Sequence, residues 1–330
     1  MKKLIRKMSI ACLALTMLAC SKDDNKTTLP TITDIAVDNP DFSILVEALT
    51  RTNLAGTLDD NSKQFTVFAP TNTAFNTFFS SLGAGVNVNN VDENVLKAIL
   101  LNHVLGAEVK AAQVPTAGYA TTLSPFNATV TNSPGISMFL QKQGTNVFIN
   151  GGTATTGVKV TTADVDASNG VIHIVNAVIA IPTVVDHVVA NPEFETLQTV
   201  VTSAPQSAVL NLLAGLTASA PATLFAPNNA AFATALGAGG FANGATDAQV
   251  TKVLQYHASA AGNVRSTNLT NNMAIPTLTN PAQSTTAILG NGTVDIRDSE
   301  NNLARVIQAD IQCSNGVIHG INRVLKPVFN

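Results

Sequence analysis

Apolar residues recur at helical spacing near the start of the chain. Phe42, Leu45, Val46 and Leu49 fall at i, i+3, i+4 and i+7, which predicts an amphipathic helix. Asn39-Pro40-Asp41 stands just before it: asparagine caps, proline fits the first turn and the acid meets the positive end of the dipole. The same opening returns as Asn191-Pro192-Glu193-Phe194. Phe65–Phe68 and Thr223–Phe225 are short runs of β-formers stopped by Pro70 and Pro227, and so predict strands. Polar residues after each proline predict the cap of another helix, whose first-copy apolar face is Phe75, Phe78 and Phe79. Asp92, and the capping box from Thr246 to Gln249, predict two further helix starts. The pattern then turns to strands at Thr129–Thr131, Ile136–Leu140, Val147–Ile149, Val158–Val160 and Val171–Val175, separated by Gly, Asn and Pro. Asn150-Gly151 and Asn291-Gly292 suit tight turns. Helices come early and strands late, so the class is α+β.

These phrases are written twice. Thr66–Phe75 (TVFAPTNTAF) returns as Thr223–Phe232 (TLFAPNNAAF), Asn169–His173 (NGVIH) as Asn315–His319, and His103 is answered by His257. A repeat this long exceeds the ~20–50-residue period of solenoids and propellers and has the size of a domain. The chain therefore divides into residues 31–181 and 182–330, with a short polar linker at 21–30 and a leader at 1–20. The connection around Ile181-Pro182-Thr183 is short, which implies restricted hinge motion.

The leader carries Lys2, Lys3, Arg6 and Lys7 before an apolar run from Met8 to Ala19 that is too short to span a bilayer. It ends in Met17-Leu18-Ala19-Cys20, which resembles a bacterial lipoprotein cleavage box with methionine in place of the usual leucine. Cys20 is then the lipidated N-terminus, and acyl chains contributing ~0.8 kcal/mol per CH₂ would anchor the protein in the outer membrane. Ser21, Lys22, Asp23 and Asp24 resemble the short acidic tag that sends some lipoproteins to the cell exterior; the plainer reading is a solvated tether.

Of 18 basic residues four leave with the leader, against 21 acids, so the exported chain is acidic and lacks the basic face a nucleic-acid partner requires. Cys313 is then the one thiol outside the leader and the anchor, so stability rests on the cores, for which two such domains are large enough.

The strand phrase ending Ala-Pro-polar-Asn-x-Ala-Phe, a helix ending near His, and a late Asn-Gly-Val-Ile-His strand, each present twice, together resemble the fasciclin domain. The resemblance implies two tandem units, each a wedge of strands packed with several helices. It further implies an extracellular adhesion or matrix protein that acts through contacts with a protein or glycan and needs no cofactor. The family's Tyr-His pair stands as Tyr256-His257 in the second copy, whereas Asn102 precedes His103 in the first. The Asp-Ile dipeptide that animal relatives present to integrins is missing before these helices.

The histidines are the obvious candidates for chemistry, and each has a structural explanation. His103 follows Val95 and Ile99 at steps of four, and His257 follows Val250 and Leu254, which places both on core stripes as buried hydrogen-bonding residues. His173 and His319 lie mid-strand at a core or sheet-edge position. Metal-ligand spacing is missing; Asp164 and Asp166, like Asp295 and Asp298, read as solvated turns without the closing glutamate of a calcium loop. No nucleophile elbow occurs, Cys313 packs like alanine, and Gly151-Gly152 and Gly239-Gly240 lack the setting that cradles phosphate. The expectation is a surface adhesin without catalytic residues. The alternatives are an envelope spacer with no external ligand, and a glycan-processing accessory.

Overall fold

A computed structural model describes residues 29–151 and 157–329. The first domain opens with α1 (Ile32–Asp38), a 3₁₀ turn over Pro40–Phe42, α2 (Ser43–Arg51) and α3 (Ala55–Leu58). Then come β1 (Phe65–Pro70), α4 (Asn72–Leu82), α5 (Glu93–Asn102) and β2 (Val104–Leu105). Five strands close it: β3 (Ala117–Pro125), β4 (Gly135–Gln143), β5 (Asn146–Ile149), β6 (Val158–Ala167) and β7 (Gly170–Val175). The second domain repeats the plan with α6 (Val184–Ala190), α7 (Glu195–Val201), α8 (Ser207–Ala214), β8 (Ala222–Pro227), α9 (Asn229–Leu236), α10 (Asp247–Tyr256) and β9 (Ala258–Ser259). Its late strands are β10 (Ala274–Pro276), β11 (Ser284–Gly290), β12 (Thr293–Arg297), β13 (Leu303–Cys313) and β14 (Gly316–Ile321). The chain is thus two tandem α+β domains.

Strands β1 to β7 pair in order and close into a barrel, with β7 returning to lie parallel to β1. Domain 2 keeps this order, including the parallel pair of β14 with β8, but its sheet is open between β9 and β10. Two hydrogen bonds span that gap: Ser259 Oγ donates to the Pro276 carbonyl at 2.5 Å, and Leu278 N–H donates to the Ala258 carbonyl at 2.8 Å. The parallel pair is covered on both sides, so every residue of β1 and β8 is buried. Val67 and Ala69 face the helices with Phe75, Leu96 and Leu100, whereas Phe68 points into the curl of strands with Met138, Leu140 and Ile149. Domain 2 divides its core the same way, between Leu224 with Phe232 and Leu254 on the helix side and Phe225 with Ile275 and Ile296 inside the sheet.

Local signals place the helix starts. Asn39 Oδ1 accepts the Asp41 N–H, Asp92 accepts from Asn94 and Val95, and Thr246 forms its box with Gln249. Asn291 and Gly292 take φ of 51° and 75° and make the two-residue turn between β11 and β12.

Several readings of the sequence change. Thr129–Thr131 form turns, not a strand: the Asn127 side chain accepts from Thr129, and Asn132 has φ of 56°. The strand actually present, β3, lies just upstream in a polar stretch without alternation. Val95 is 46% exposed, and the buried stripe of α5 runs through Leu96, Ile99 and Leu100 instead. Asp164 and Asp166 lie within β6, not in a solvated turn. Asp295 lies on β12, paired with Arg305 at 2.5 Å, and buried Asp298 accepts the backbone N–H groups of Glu300, Asn302 and Lys326.

Candidate functional site

The four motif histidines occupy two kinds of station, repeated in each domain. His103 and His257 cap the C-terminal ends of α5 and α10. In His103, Nδ1 donates to the Ile99 carbonyl at 2.7 Å and Nε2 accepts the Ile179 N–H at 2.8 Å. In His257, Nδ1 donates to the Val253 carbonyl at 2.7 Å and Nε2 accepts the Leu325 N–H at 2.8 Å. The bonds tie the helix to the segment leaving the last strand. Burial holds both rings down to about 4, against the raising effect of the carbonyl each ring meets.

His173 and His319 use the opposite tautomer. Nε2 of His173 donates to the Val109 carbonyl at 2.9 Å, and its Nδ1 accepts the Asp164 N–H at 3.2 Å. Nε2 of His319 donates to the Val264 carbonyl at 2.9 Å, and its Nδ1 accepts the Asp310 N–H at 3.3 Å. Asp164 and Asp310 are the left-handed residues of β-bulges, with φ of 59° and 61°. The strands β7 and β14 are central, each flanked on both sides, so neither histidine is at a sheet edge. All eight ring nitrogens are engaged with main-chain groups, which leaves none of them a lone pair for proton abstraction or metal ligation.

Asn169 and Asn315 do more than turn the chain. Asn169 Oδ1 accepts the Ile32 N–H at 3.0 Å and its amide donates to the Leu58 carbonyl at 2.7 Å. Asn315 does the same for Val184 and Leu213, at 2.8 and 3.3 Å. Each pins the first helix of its domain onto the hairpin that ends the sheet.

Tyr256 and Asn102 stand at equivalent places and do different work. The Tyr256 ring is fully buried inside the sheet, its hydroxyl donating to the Ser284 carbonyl at 3.1 Å, and burial pushes it up to about 12. Asn102 donates instead to the Ile179 and Ala180 carbonyls at 3.3 and 3.2 Å. The hairpin registers equate Met138, Leu140 and Val158 of domain 1 with Thr285, Ala287 and Ala304 of domain 2. Larger residues on the strands of domain 1 thus replace the volume that the tyrosine ring supplies in domain 2.

The domains meet at a buried junction that sequence analysis does not identify. The Tyr119 ring of β3 lies 5.0 Å from Phe139 and 5.2 Å, edge-on, from His187 of α6. Asn191 donates to the Tyr119 hydroxyl at 3.3 Å, and Gln312 N–H donates to Ser137 Oγ at 2.9 Å. Burial raises the Tyr119 hydroxyl, and it raises the nearby Cys313 thiol well above its ordinary value. His187 is fully buried, and burial holds it down to about 4. The Ser137 main chain, close to the ring, and the Asp186 charge offset part of that lowering, yet neither ring nitrogen completes a hydrogen bond. One signal in the sequence pointed here: the paired capping boxes Thr31–Asp34 and Thr183–Asp186 align His187 with apolar Ile35.

Cys20, Ser21, Lys22, Asp23 and Asp24 lie outside the described residues. Among the described residues no cluster of His, Cys, Asp or Glu could hold a metal ion, and no helix is long and apolar enough to cross a membrane.

A model of the fasciclin domain matches the chain twice, over residues 40–182 and 192–327. Protein sll1483 of Synechocystis sp. is 35% identical over 155 residues, which is 46% of this chain and 74% of that protein. The uncharacterized protein sll1735 of the same organism is 31% identical over 158 residues, 46% of this chain and 98% of its own. Among solved structures, the FAS1 domain pair from the insect cell adhesion molecule fasciclin I is similar in fold. Its TM-score is 0.50 at 19% identity, over 89% of this chain and 98% of that one.

Proposed function

Because this chain belongs to the fasciclin domain family, we propose that it is a lipid-anchored adhesin at the cell surface, binding a protein or glycan of the matrix through non-covalent contacts. Fasciclin domains are generally non-catalytic and associated with adhesion and protein interactions. The observation that carries the reading is the junction. Tyr119, His187 and the Gln312–Ser137 bond pack one module against the other, which restricts how far the two can swing apart. Restricted spacing raises avidity for a repetitive partner without any new contact.

The test is adherence of cells making the full chain to immobilised glycans and matrix proteins. The expected result is a loss of at least tenfold in retained cells on deletion of the gene; equal retention would sink the reading. Labelled fatty acid is expected to enter the wild-type chain and not a Cys20→Ala variant. Antibody detection on intact cells is expected to fall when Lys22, Asp23 and Asp24 become alanine. The same junction also favours a second reading, a stiff envelope spacer. That reading predicts unchanged adherence together with an altered envelope in the deletion strain.

A further inference from the structure

Domain 2 carries an open cleft of about 340 Å³. It lies between the end of α9 with the following loop, the turn joining β12 to β13, and the segment that leaves β14. Its size is at the lower end of small-ligand sites, which run from about 300 to 1,000 Å³. Phe241 and Val324 supply apolar surface, while Arg323 and Asn302 supply polar groups. The Gly240 backbone packs so closely on the Ala235 carbonyl that a Cβ would overlap it, which leaves that wall bare of side chains.

The charges in the cleft are unequally used. The Asp298 carboxylate is taken up by three backbone N–H groups and by the Asn302 amide, which fixes that amide with its oxygen left as an acceptor. The Lys326 ammonium pairs with Glu300 at 2.6 Å and lies 5.5 Å over the Phe241 ring. Arg323 is exposed, and among the described residues no carboxylate lies within ion-pair distance of it. One guanidinium is therefore available to a ligand.

The internal repeat says which of these residues the fold itself requires. Asn176 and Asn322 are equivalent, each accepting the N–H of a strand residue, Lys159 or Arg305. From them, Ala177-Val178-Ile179-Ala180 aligns with Arg323-Val324-Leu325-Lys326. The two apolar positions are kept, and alanine suffices for the fold at the other two. Lys326 holds Glu300 and Phe241, whereas Arg323 makes no ion pair among the described residues.

We propose that this cleft binds a carboxylate-bearing sugar of an acidic glycan, Arg323 forking the carboxylate and Phe241 lining the face that meets the sugar's C–H groups. The proposal rests on the adhesin reading and names its partner class. A peptide is disfavoured because no wall of the cleft is a free sheet edge; β14 is flanked by β13 and β8. A nucleic acid is disfavoured because the chain is itself acidic and offers a single unpaired cation here, enough for one sugar carboxylate but not for a run of phosphates.

Calorimetric titration of the full chain with cellobiouronate, with cellobiose and with a short peptide bearing a free C-terminus tests this. The acidic disaccharide is expected to bind at least tenfold more tightly than the neutral one. Arg323→Ala, which installs the residue domain 1 carries, and Phe241→Ala are each expected to weaken it at least tenfold, with the Arg323→Ala urea midpoint unchanged. Equal binding of the two sugars, binding of neither, preference for the peptide, or an unaffected Arg323→Ala variant would overturn the site. If cells still adhere while cellobiouronate fails to bind, the site falls and the adhesin reading stands.

Discussion

Where domain 1 ends its last helix with Asn102, domain 2 places Tyr256, and the surrounding strands trade Met138, Leu140 and Val158 for Thr285, Ala287 and Ala304. At the histidine stations nothing is traded: the same nitrogens meet the same main-chain partners in both copies. The difference teaches which parts of the frame are interchangeable. Volume inside the curl can be supplied from either wall. Leaving a buried main-chain N–H or carbonyl at these stations without its partner costs about 1–3 kcal/mol per group. The exterior is freer still, as Ala177 and Ala180 against Arg323 and Lys326 demonstrate.

The comparison breaks most completely at the start of the last strand. Gly170 and Gly316 have φ of 141° and 158°, and a Cβ on either would overlap the carbonyl of the facing residue, Phe65 or Ala222. Either substitution to alanine is expected to cost more than about 5 kcal/mol. Each should split urea unfolding into two transitions, with only the altered domain lost early. Next in size is Tyr256→Asn, which empties the interior of domain 2 and should cost about 3–5 kcal/mol by chemical denaturation. Its mirror, Asn102→Tyr, overfills domain 1 and should cost about 1–3 kcal/mol. Equal costs would show that the strand residues do not compensate.

Acid sharpens the comparison at the junction. His187 is held down to about 4, whereas an unfolded histidine titrates at about 6.5. The unfolded chain takes up a proton that the folded chain refuses, so stability is full above pH 6.5 and falls as pH drops toward 4. His103 and His257 act the same way, one in each domain. Replacing His187 with phenylalanine is expected to reduce the stability lost between pH 7 and 4.5 by about 2–3 kcal/mol, read from urea midpoints. The smallest effect is Tyr119→Phe, which deletes the 3.3 Å bond from buried Asn191 and should cost about 1–2 kcal/mol.

Features specified within a few residues were legible in the sequence. Asn39, Asp92 and Thr246 cap because the donors they satisfy lie two or three positions away. The doubled phrases marked β1 with β7 and β8 with β14, because strands buried on both faces keep apolar runs. Strand β3 was not legible: its residues alternate weakly, and its place is set by pairing with β4. Thr129–Thr131 misled because β-branched residues also occur in turns governed by a neighbouring asparagine. Of the candidate site, buried His103 and His257 could be inferred from helical spacing, although Val95 proved to lie off the stripe. Their partners, and the meeting of Tyr119 with His187, arise from residues distant in the chain; the one local sign is His187 standing where the first copy has Ile35.

The Ile32 N–H is answered by Asn169, 137 residues later, and the Val184 N–H by Asn315, 131 residues later. A polypeptide emerging from its N-terminal end therefore carries an unfastened clasp until almost the whole of each module has been synthesised. Contacts of this reach slow closure, because the intervening loop must be gathered before any of them is rewarded. Each unit should remain threadable through a narrow pore until its last hairpin arrives, and then shut in one cooperative step.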